Sequence, residues 1–326
     1  MVQEPTDRPR LAIVGCGQIG RLHAQRLITD RRARIVALCD PVASSAEQLR
    51  EVFAPEARVV TTVEQLADLK LDGAVVCTPT HLHFEQVRRL REWGVGVLCE
   101  KPLADSRERI AQLVEEAAGG PLLSVAYQRR YWSTFRTLRR EVLSGAHGPI
   151  RSITSHNSEC WQLTIEGTWR DDPRFNPGGF IGDAGSHKLD MVFFVTGLAP
   201  REVYAQSDRR GSQVEIVTTI SARLEGNVAL AMDFIGDAHH FREEFAVHCE
   251  QADLLLRDGV VWIARDNRLE RVAPLEPESN PNTAFLDCLL RGAPNAAPAD
   301  VALPVWDFLQ AVLESSRTGR PVVGPA

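Results

Sequence analysis

Three glycines, Gly15, Gly17 and Gly20, close a short apolar run and open a stretch of helical period. In the order GxGxxG the first permits a tight turn, the second lets backbone approach a pyrophosphate, and the third lets a helix pack closely on a strand. The helix start, with Gln18 and Ile19 inside the loop, then offers its N–H groups to phosphate oxygens. GxGxxG alone also occurs in ordinary turns. Here strand, loop, helix and second strand fall within the roughly 30 residues that a βαβ unit requires. Asp40 ends that second strand, 20 positions after Gly20, where a carboxylate can accept hydrogen bonds from adenosine ribose hydroxyls. The competing reading is an acid capping the helix that begins near Ser44. Pro41 and Val42 follow in place of a basic residue that would welcome a 2'-phosphate, which favours NAD, while Arg21 beside the loop keeps NADP open.

Two further segments carry groups suited to proton transfer: Glu100-Lys101-Pro102 after an apolar run, and the stretch from Gly178 to Asp190 that contains Asp183 and His187. Oxidation of an alcohol expels a hydride only as the hydroxyl proton leaves, so a base working near neutrality is needed. Histidine titrates in that range. A lysine beside a cofactor can stabilise a developing alkoxide or relay the proton, especially when burial lowers its pKa. On one helix, Asp183, His187 and Asp190 would share a face at spacings of four and three. That geometry could also hold a metal ion, but the nearest third ligand is another carboxylate, and the reading is no metal.

Several residues are expected around these groups, each with a plainer alternative. Thr78, Pro79, His81 and His83 follow a strand, at the carboxyl edge where ligands of open sheets gather. One histidine would cap or line the nicotinamide pocket; packing at a helix start is the alternative for each. Trp161, Trp169 and Arg170 could grip a polyhydroxylated ring, against a core role for the tryptophans. Arg129 and Arg130 would contact substrate or bridge domains, or else stand as solvated helix-end charges. Glu100 would pair with a cation or shape the nicotinamide end, or face solvent, and Pro102 would fix Lys101 through a peptide bond for which cis is a hypothesis.

The elements that must position these groups fall into two textures. From residue 10 to 126, apolar runs at 11–14, 35–39, 74–77, 95–99 and 122–126 alternate with amphipathic segments at 19–29, 44–53, 81–93 and 106–118. That alternation predicts an α/β N-terminal Rossmann domain with a doubly wound parallel sheet. Residues 1–9 read as a flexible tail and 127–149 as a connecting helix (131–143) and boundary region broken by Gly145, Gly148 and Pro149. Beyond, 150–156, 202–207, 214–224, 228–235, 244–249, 253–257 and 260–265 resemble consecutive strands, with helices at 185–195, 282–291 and 301–317. The expectation for 150–326 is an α+β substrate and oligomerisation domain with a large, mainly antiparallel sheet, its last helices packing back on the first domain.

The 326 residues fit two domains at roughly 150 residues each. A formal charge of −6 with no basic run argues against nucleic acid. No apolar stretch approaches the roughly 20 residues needed to span a bilayer, and seven cysteines without a CxxC pair read as reduced structural thiols. A cytoplasmic protein is expected. Strands that mix apolar and polar positions predict a broad sheet face for self-association, hence a homodimer or homotetramer.

Taken in order, the glycine loop, the Thr78-Pro79-Thr80-His81-Leu82-His83 turn, Glu100-Lys101-Pro102, Tyr127 to Tyr131 and the Gly178-Gly179 to Asp190 segment resemble the Gfo/Idh/MocA family over nearly the whole chain. The resemblance implies oxidation of a secondary hydroxyl of a sugar, cyclitol or related polyol, or the reverse reduction, with NAD or NADP and without a metal. It implies that Lys101 is the active-site lysine and that Asp183 and His187 complete the catalytic set. Two other functions stay open: a relative that recycles its NAD, cleaving a glycoside or exchanging hydride between sugars, and a non-catalytic NAD-binding regulator.

Overall fold

The structure, a computed structural model, describes residues 8–323. In chain order its elements are β1 (Arg10–Val14), α1 (Gln18–Asp30), β2 (Arg34–Cys39), α2 (Ala43–Phe53), β3 (Arg58–Val60), β4 (Gly73–Val76), α3 (Thr80–Glu92), β5 (Gly96–Cys99), α4 (Arg107–Ala117) and β6 (Leu123–Val125). There follow α5 (Ser133–Leu143), β7 (Ile150–Cys160), the short α6 (Gln162–Ile165) and α7 (Gly179–Gly182), α8 (Ser186–Thr196), β8 (Pro200–Asp208), β9 (Val217–Leu224), β10 (Val228–Ile235) and β11 (Asp237–Cys249). The chain ends with β12 (Asp253–Arg257), β13 (Val260–Arg265), β14 (Arg268–Arg271), α9 (Pro281–Arg291), α10 (Ala302–Thr318) and β15 (Val322–Val323). Two compact units result: the chain up to Gln128 with Ser279–Leu303, and Arg129–Glu278 with the chain from Pro304.

In the first unit six strands run parallel in the order β3-β2-β1-β4-β5-β6. The order reverses between β1 and β4, the place where an open α/β sheet forms its ligand crevice. Parallel strands covered on both faces must be apolar at nearly every position, and Leu11, Ile13, Val75 and Leu98 are fully buried among Ala24 and Leu27 of α1 and Phe285 and Leu286 of α9. The expected strands are present with ends moved by one or two residues, β4 stopping at Val76 and β5 starting at Gly96. β3 was not foreseen, because three residues at a sheet edge show no period to read. Of the expected tail, residues 1–7 lie outside the described residues, while Pro9 accepts a 2.9 Å hydrogen bond from Arg34 N.

The second unit holds nine strands in the order β14-β13-β12-β11-β7-β10-β9-β8-β15, antiparallel throughout except where β7 and β10 run parallel. One face packs on helices, α5 lying against β12, β13 and α8. β9 and β10 alternate buried and exposed positions, so their other face carries small and polar side chains such as Thr219, Ser221 and Ala231. The structure corrects several strand limits. β11 starts at Asp237 rather than 244, its first half being exposed and polar and so lacking alternation, and β14 and β15 are short edge strands. The helix expected at 131–143 forms as α5 and belongs to this unit. Among the described residues no helix is long and apolar enough to cross a membrane.

Gly179 shows how tightly the α7 turn is wound. Its φ is +53° and a Cβ there would stand 2.1 Å from the carbonyl oxygen of Glu215. Gly179→Ala is therefore expected to cost about 2–4 kcal/mol, from backbone strain and overpacking together. A fall in the urea midpoint with unchanged slope checks this.

Candidate active site

The first unit builds a crevice of about 740 Å³ around the end of β1, lined by Gly15, Gly17, Asp40, Glu64, Thr78, Pro79 and His81 among others. Gly15 sits at φ +92°, and a Cβ there would meet the Cys77 carbonyl at 2.7 Å; a Cβ on Gly20 would lie 2.1 Å from Gly15 O. Both positions therefore demand glycine, whereas Gly17 has open space around its missing Cβ. Gly17 is also the N-cap of α1 with no side-chain cap bond, so the helix start presents N–H groups to that space. The cradle fits a dinucleotide pyrophosphate.

Asp40 is held rigidly beside it: Oδ2 accepts from Cys16 N at 2.8 Å and Oδ1 from Val42 N at 2.9 Å. It does not cap α2, whose N-cap is Val42 without a side-chain bond. Glu64 adds a second carboxylate to the same wall, and Arg21 stacks on Phe53 at 5.2 Å instead of lining the crevice. Three carboxylates, Asp40, Glu64 and Glu85, line the crevice together with Arg89, which pairs with Glu92 at 2.9 Å.

The loop after β5 presents Glu100, Lys101 and Pro102, with the Lys101–Pro102 peptide cis. Glu100 is mostly buried; Oε2 accepts from Lys101 N at 3.2 Å and Oε1 lies 3.0 Å from His23 Nε2. Burial acts to raise its pKa, but the His23 hydrogen bond and the charges of His23 and Lys101 outweigh this and hold the carboxyl below its ordinary range. His81 lines the crevice; His83 does not, being buried with both ring nitrogens against backbone carbonyls.

In the second unit the run of glycines is steric. Gly178 and Gly179 have positive φ, and a Cβ on Gly182 would stand 2.3 Å from Pro177 O. The coil delivers Asp183 between α7 and α8, at φ −88° and ψ −92°. Asp183 and His187 therefore do not share a helix face as the spacing predicts; the glycines break the helix, and His187 stands in the first turn of α8. Asp183 Oδ2 accepts from Arg170 Nε at 3.0 Å, and the Arg170 guanidinium lies 4.6 Å from the centre of the exposed Trp169 ring. Asp183, Arg170 and Trp169 thus stand together.

Asp190 is completely buried. Arg130 grips it through Nε to Oδ2 at 2.8 Å and Nη2 to Oδ1 at 2.6 Å. Burial raises the Asp190 pKa against the pull of Arg130. Trp161 is also interior, stacked on Phe180 at 5.3 Å. Arg130 and Trp161, expected at the substrate, are placed in the core.

A family of oxidoreductases with an NAD-binding Rossmann fold, Gfo/Idh/MocA, matches residues 9–127, and the C-terminal domain of the same family matches residues 135–255. The chain belongs to the Gfo/Idh/MocA family. It is 28% identical over 197 residues to an inositol 2-dehydrogenase of Rhizobium meliloti, a match covering 60% of this chain and 57% of that protein. A second inositol 2-dehydrogenase, from Acidothermus cellulolyticus, is 29% identical over 279 residues, covering 82% and 76%. The match thus spans little more than half the length of the first relative. The solved oxidoreductase domain protein from Kribbella flavida superposes with a TM-score of 0.87 at 19% identity, covering 99% of this chain and all of that one, which establishes the shared fold.

This Gfo/Idh/MocA chain also contains groups that sequence reasoning passed over. Glu64 follows β3, a strand too short to announce itself. Lys188 is 2% exposed, paired with Glu159 of β7 and 4.9 Å from the centre of the Phe180 ring; burial, more than Glu159 can offset, lowers its pKa. Nothing in its neighbours along the chain distinguishes it from a solvated helix lysine, though it is one of three lysines, with Lys70 and Lys101.

Two outcomes follow from the buried acids. Asp190→Asn leaves the Arg130 charge buried without its carboxylate, and about 3–5 kcal/mol of unfolding free energy should be lost, measured by urea titration. Glu100 has a folded pKa below its ordinary 4.5, so its contribution to stability is present above that value and disappears as pH falls through the folded one. Glu100→Gln should therefore destabilise the protein near neutrality, and the gap to wild type should close in acid. A gap independent of pH would show that the carboxylate is not held by charge.

Proposed function

We propose that the protein transfers hydride between a secondary hydroxyl of a sugar, cyclitol or related polyol and NAD. The observation that carries the reading is a glycine cradle walled by Asp40 and Glu64 in a chain of an NAD-binding oxidoreductase family, and Lys101, Asp183 and His187, in the segments that resemble the family's motifs, are the groups read as catalytic. The inositol 2-dehydrogenase names of both curated relatives support a cyclic polyol as substrate class. Bound NAD supplies the hydride acceptor. Gly15, Gly17 and the start of α1 would hold its pyrophosphate, and Asp40 would accept from its ribose hydroxyls. As the carbinol hydrogen departs as hydride, the hydroxyl proton passes to His187 or Lys101, leaving a ketone; in reduction the same group returns the proton. Asp183 orients the substrate, and Arg170 beside it fixes that carboxylate while Trp169 offers a ring face.

Seven free thiols support a reducing compartment, the cytoplasm. Burial, with the charge of Asp40 behind it, pushes the Cys16 thiol up to about 12, which marks it as structural rather than reactive. The exposed sheet face with Thr154, Thr219 and Ala231 supports a homodimer or homotetramer. Light scattering at tens of micromolar is expected to give a multiple of the 36.1 kDa chain, and a monomer would contradict it.

Lys101→Met and His187→Ala should each bind NAD yet slow the hydride step by roughly 100-fold, read as NADH formation across a panel of cyclitols and sugars. The variant that abolishes the near-neutral limb of kcat/KM identifies the titrating base. Product without net NADH would instead indicate internal recycling, and full rates in both variants would sink the site. NAD should outperform NADP, with Asp40→Ser narrowing the ratio of kcat/KM values; a wild type that prefers NADP would reject the role given to Asp40.

A further inference from the structure

Two buried imidazoles flank the Glu100-Lys101-Pro102 turn. His23 of α1 stands between Glu100 Oε1 and Asn282 Oδ1, each at 3.0 Å. Turning the Asn282 amide would let its buried Nδ2, which has no partner among the described residues, donate to the ring, so either protonation pattern of His23 Nδ1 has a matching neighbour. His83 has no such freedom. Its Nδ1 lies 2.8 Å from Pro102 O and its Nε2 2.7 Å from Thr78 O, and a carbonyl oxygen only accepts.

Those two carbonyls belong to the loops that leave the neighbouring strands β4 and β5. Thr78 lines the cofactor crevice, and its backbone passes so close to the glycine turn that a Cβ on Gly15 would meet Thr78 N at 2.8 Å. Pro102 directly follows Lys101. His83 is 1% exposed and stands on the first turn of α3, anchored below by buried Phe84, Val87 and Leu90. One ring on a rigid helix therefore ties the loop that walls the crevice to the loop that carries the lysine. His81, two residues earlier and so on another side of the helix, takes the place at the crevice itself.

We propose that His83 is a positioning residue with two separable tasks: its Nδ1 contact with Pro102 sets Lys101, and its Nε2 contact with Thr78 sets the cofactor wall. This rests on the reading of Lys101 as a catalytic group. Both contacts at these distances require N–H donors, so the ring serves both together only as imidazolium. Burial, the strongest influence, and His81 lower the His83 pKa against the two carbonyls and Glu100, so the charge that the two contacts require is held against desolvation.

The two amide substitutions separate the tasks, because a glutamine amide nitrogen stands near the place of Nε2 and an asparagine amide nitrogen near that of Nδ1. In H83Q, which gives up the Pro102 contact, kcat should fall about 30-fold with the NAD dissociation constant within about twofold. In H83N, which gives up the Thr78 contact, NAD should bind about fivefold more weakly, with a smaller fall in kcat than in H83Q. Thermal midpoints near that of wild type would show both variants folded. Equal losses of both quantities in both variants, or no change in either, overturn the proposal.

Two measurements stand apart from turnover. With three lysines in the chain, isotope-labelled dimethyl-lysine NMR resolves the Lys101 amine, whose titration should shift in H83Q and hold in H83N. An unmoved Lys101 signal in folded H83Q overturns the positioning role. The expected shift in a protein whose wild type turns over no polyol or sugar sinks the catalytic reading and leaves the coupling standing. On unaltered protein, imidazole nitrogen shifts should place both His83 nitrogens in hydrogen bonds; a ring with one free nitrogen overturns the proposal however the variants fold.

Discussion

The first turn of α1 closes against the end of β1 only because no Cβ intervenes: on Gly20 it would stand 2.1 Å from Gly15 O, and on Gly15 it would strike the Cys77–Thr78 backbone. This close approach fixes more than a loop. It brings the start of α1 beside the point where strand order reverses, which opens the crevice, and it lays the Thr78 loop against the glycine turn. Asp40 then joins the same construction through Cys16 N and Val42 N. A carboxylate whose two oxygens each accept from backbone keeps its place without a ligand, so the crevice wall is pre-organised.

The second unit meets a comparable constraint with the opposite result. In the first, glycine lets a helix begin immediately; around Gly178 to Gly185 it prevents one from continuing. The chain coils so closely past Glu215 and Pro177 that side chains are excluded, and the helix resumes only at Ser186. Asp183 is left in a conformation outside the helix, with its carboxylate turned to Arg170. The break gives Asp183 and His187 different local supports, one a loop and the other a buried helix.

This contrast explains what was legible in the sequence. Sheet strands buried on both faces read clearly as apolar runs, and the glycine loop read clearly because its spacing follows from contacts between residues near in sequence. Asp183 was misplaced because a spacing of four fits a helix only where the intervening residues permit one, and Gly185 belongs to the tight coil. Glu64, β3 and the parallel pairing of β7 with β10 arise from contacts distant in sequence, for which no local period exists. Trp161 and Trp169 are eight positions apart and alike in type, yet one is core and the other exposed. Their tertiary contacts distinguish them, Trp161 packing on Phe180 and Trp169 carrying the Arg170 guanidinium.

Charge is divided in a way that bears on the chemistry. The interior ion pairs that hold α8 and β11, Arg130 with Asp190 and Arg129 with Glu243 at 2.7 Å, use arginine. A guanidinium stays protonated at any working pH and grips a carboxylate from a planar fork, so the cationic half of each anchor is constant. Lysine is scarce by comparison, at three residues against thirty-four arginines, and two of the three are Lys101 and the buried Lys188. An ammonium, unlike a guanidinium, can be brought within reach of neutrality by burial. Permanent charges thus fix the frame, while Lys188, whose pKa burial lowers, stands on the helix that follows the Gly178 to Gly185 coil.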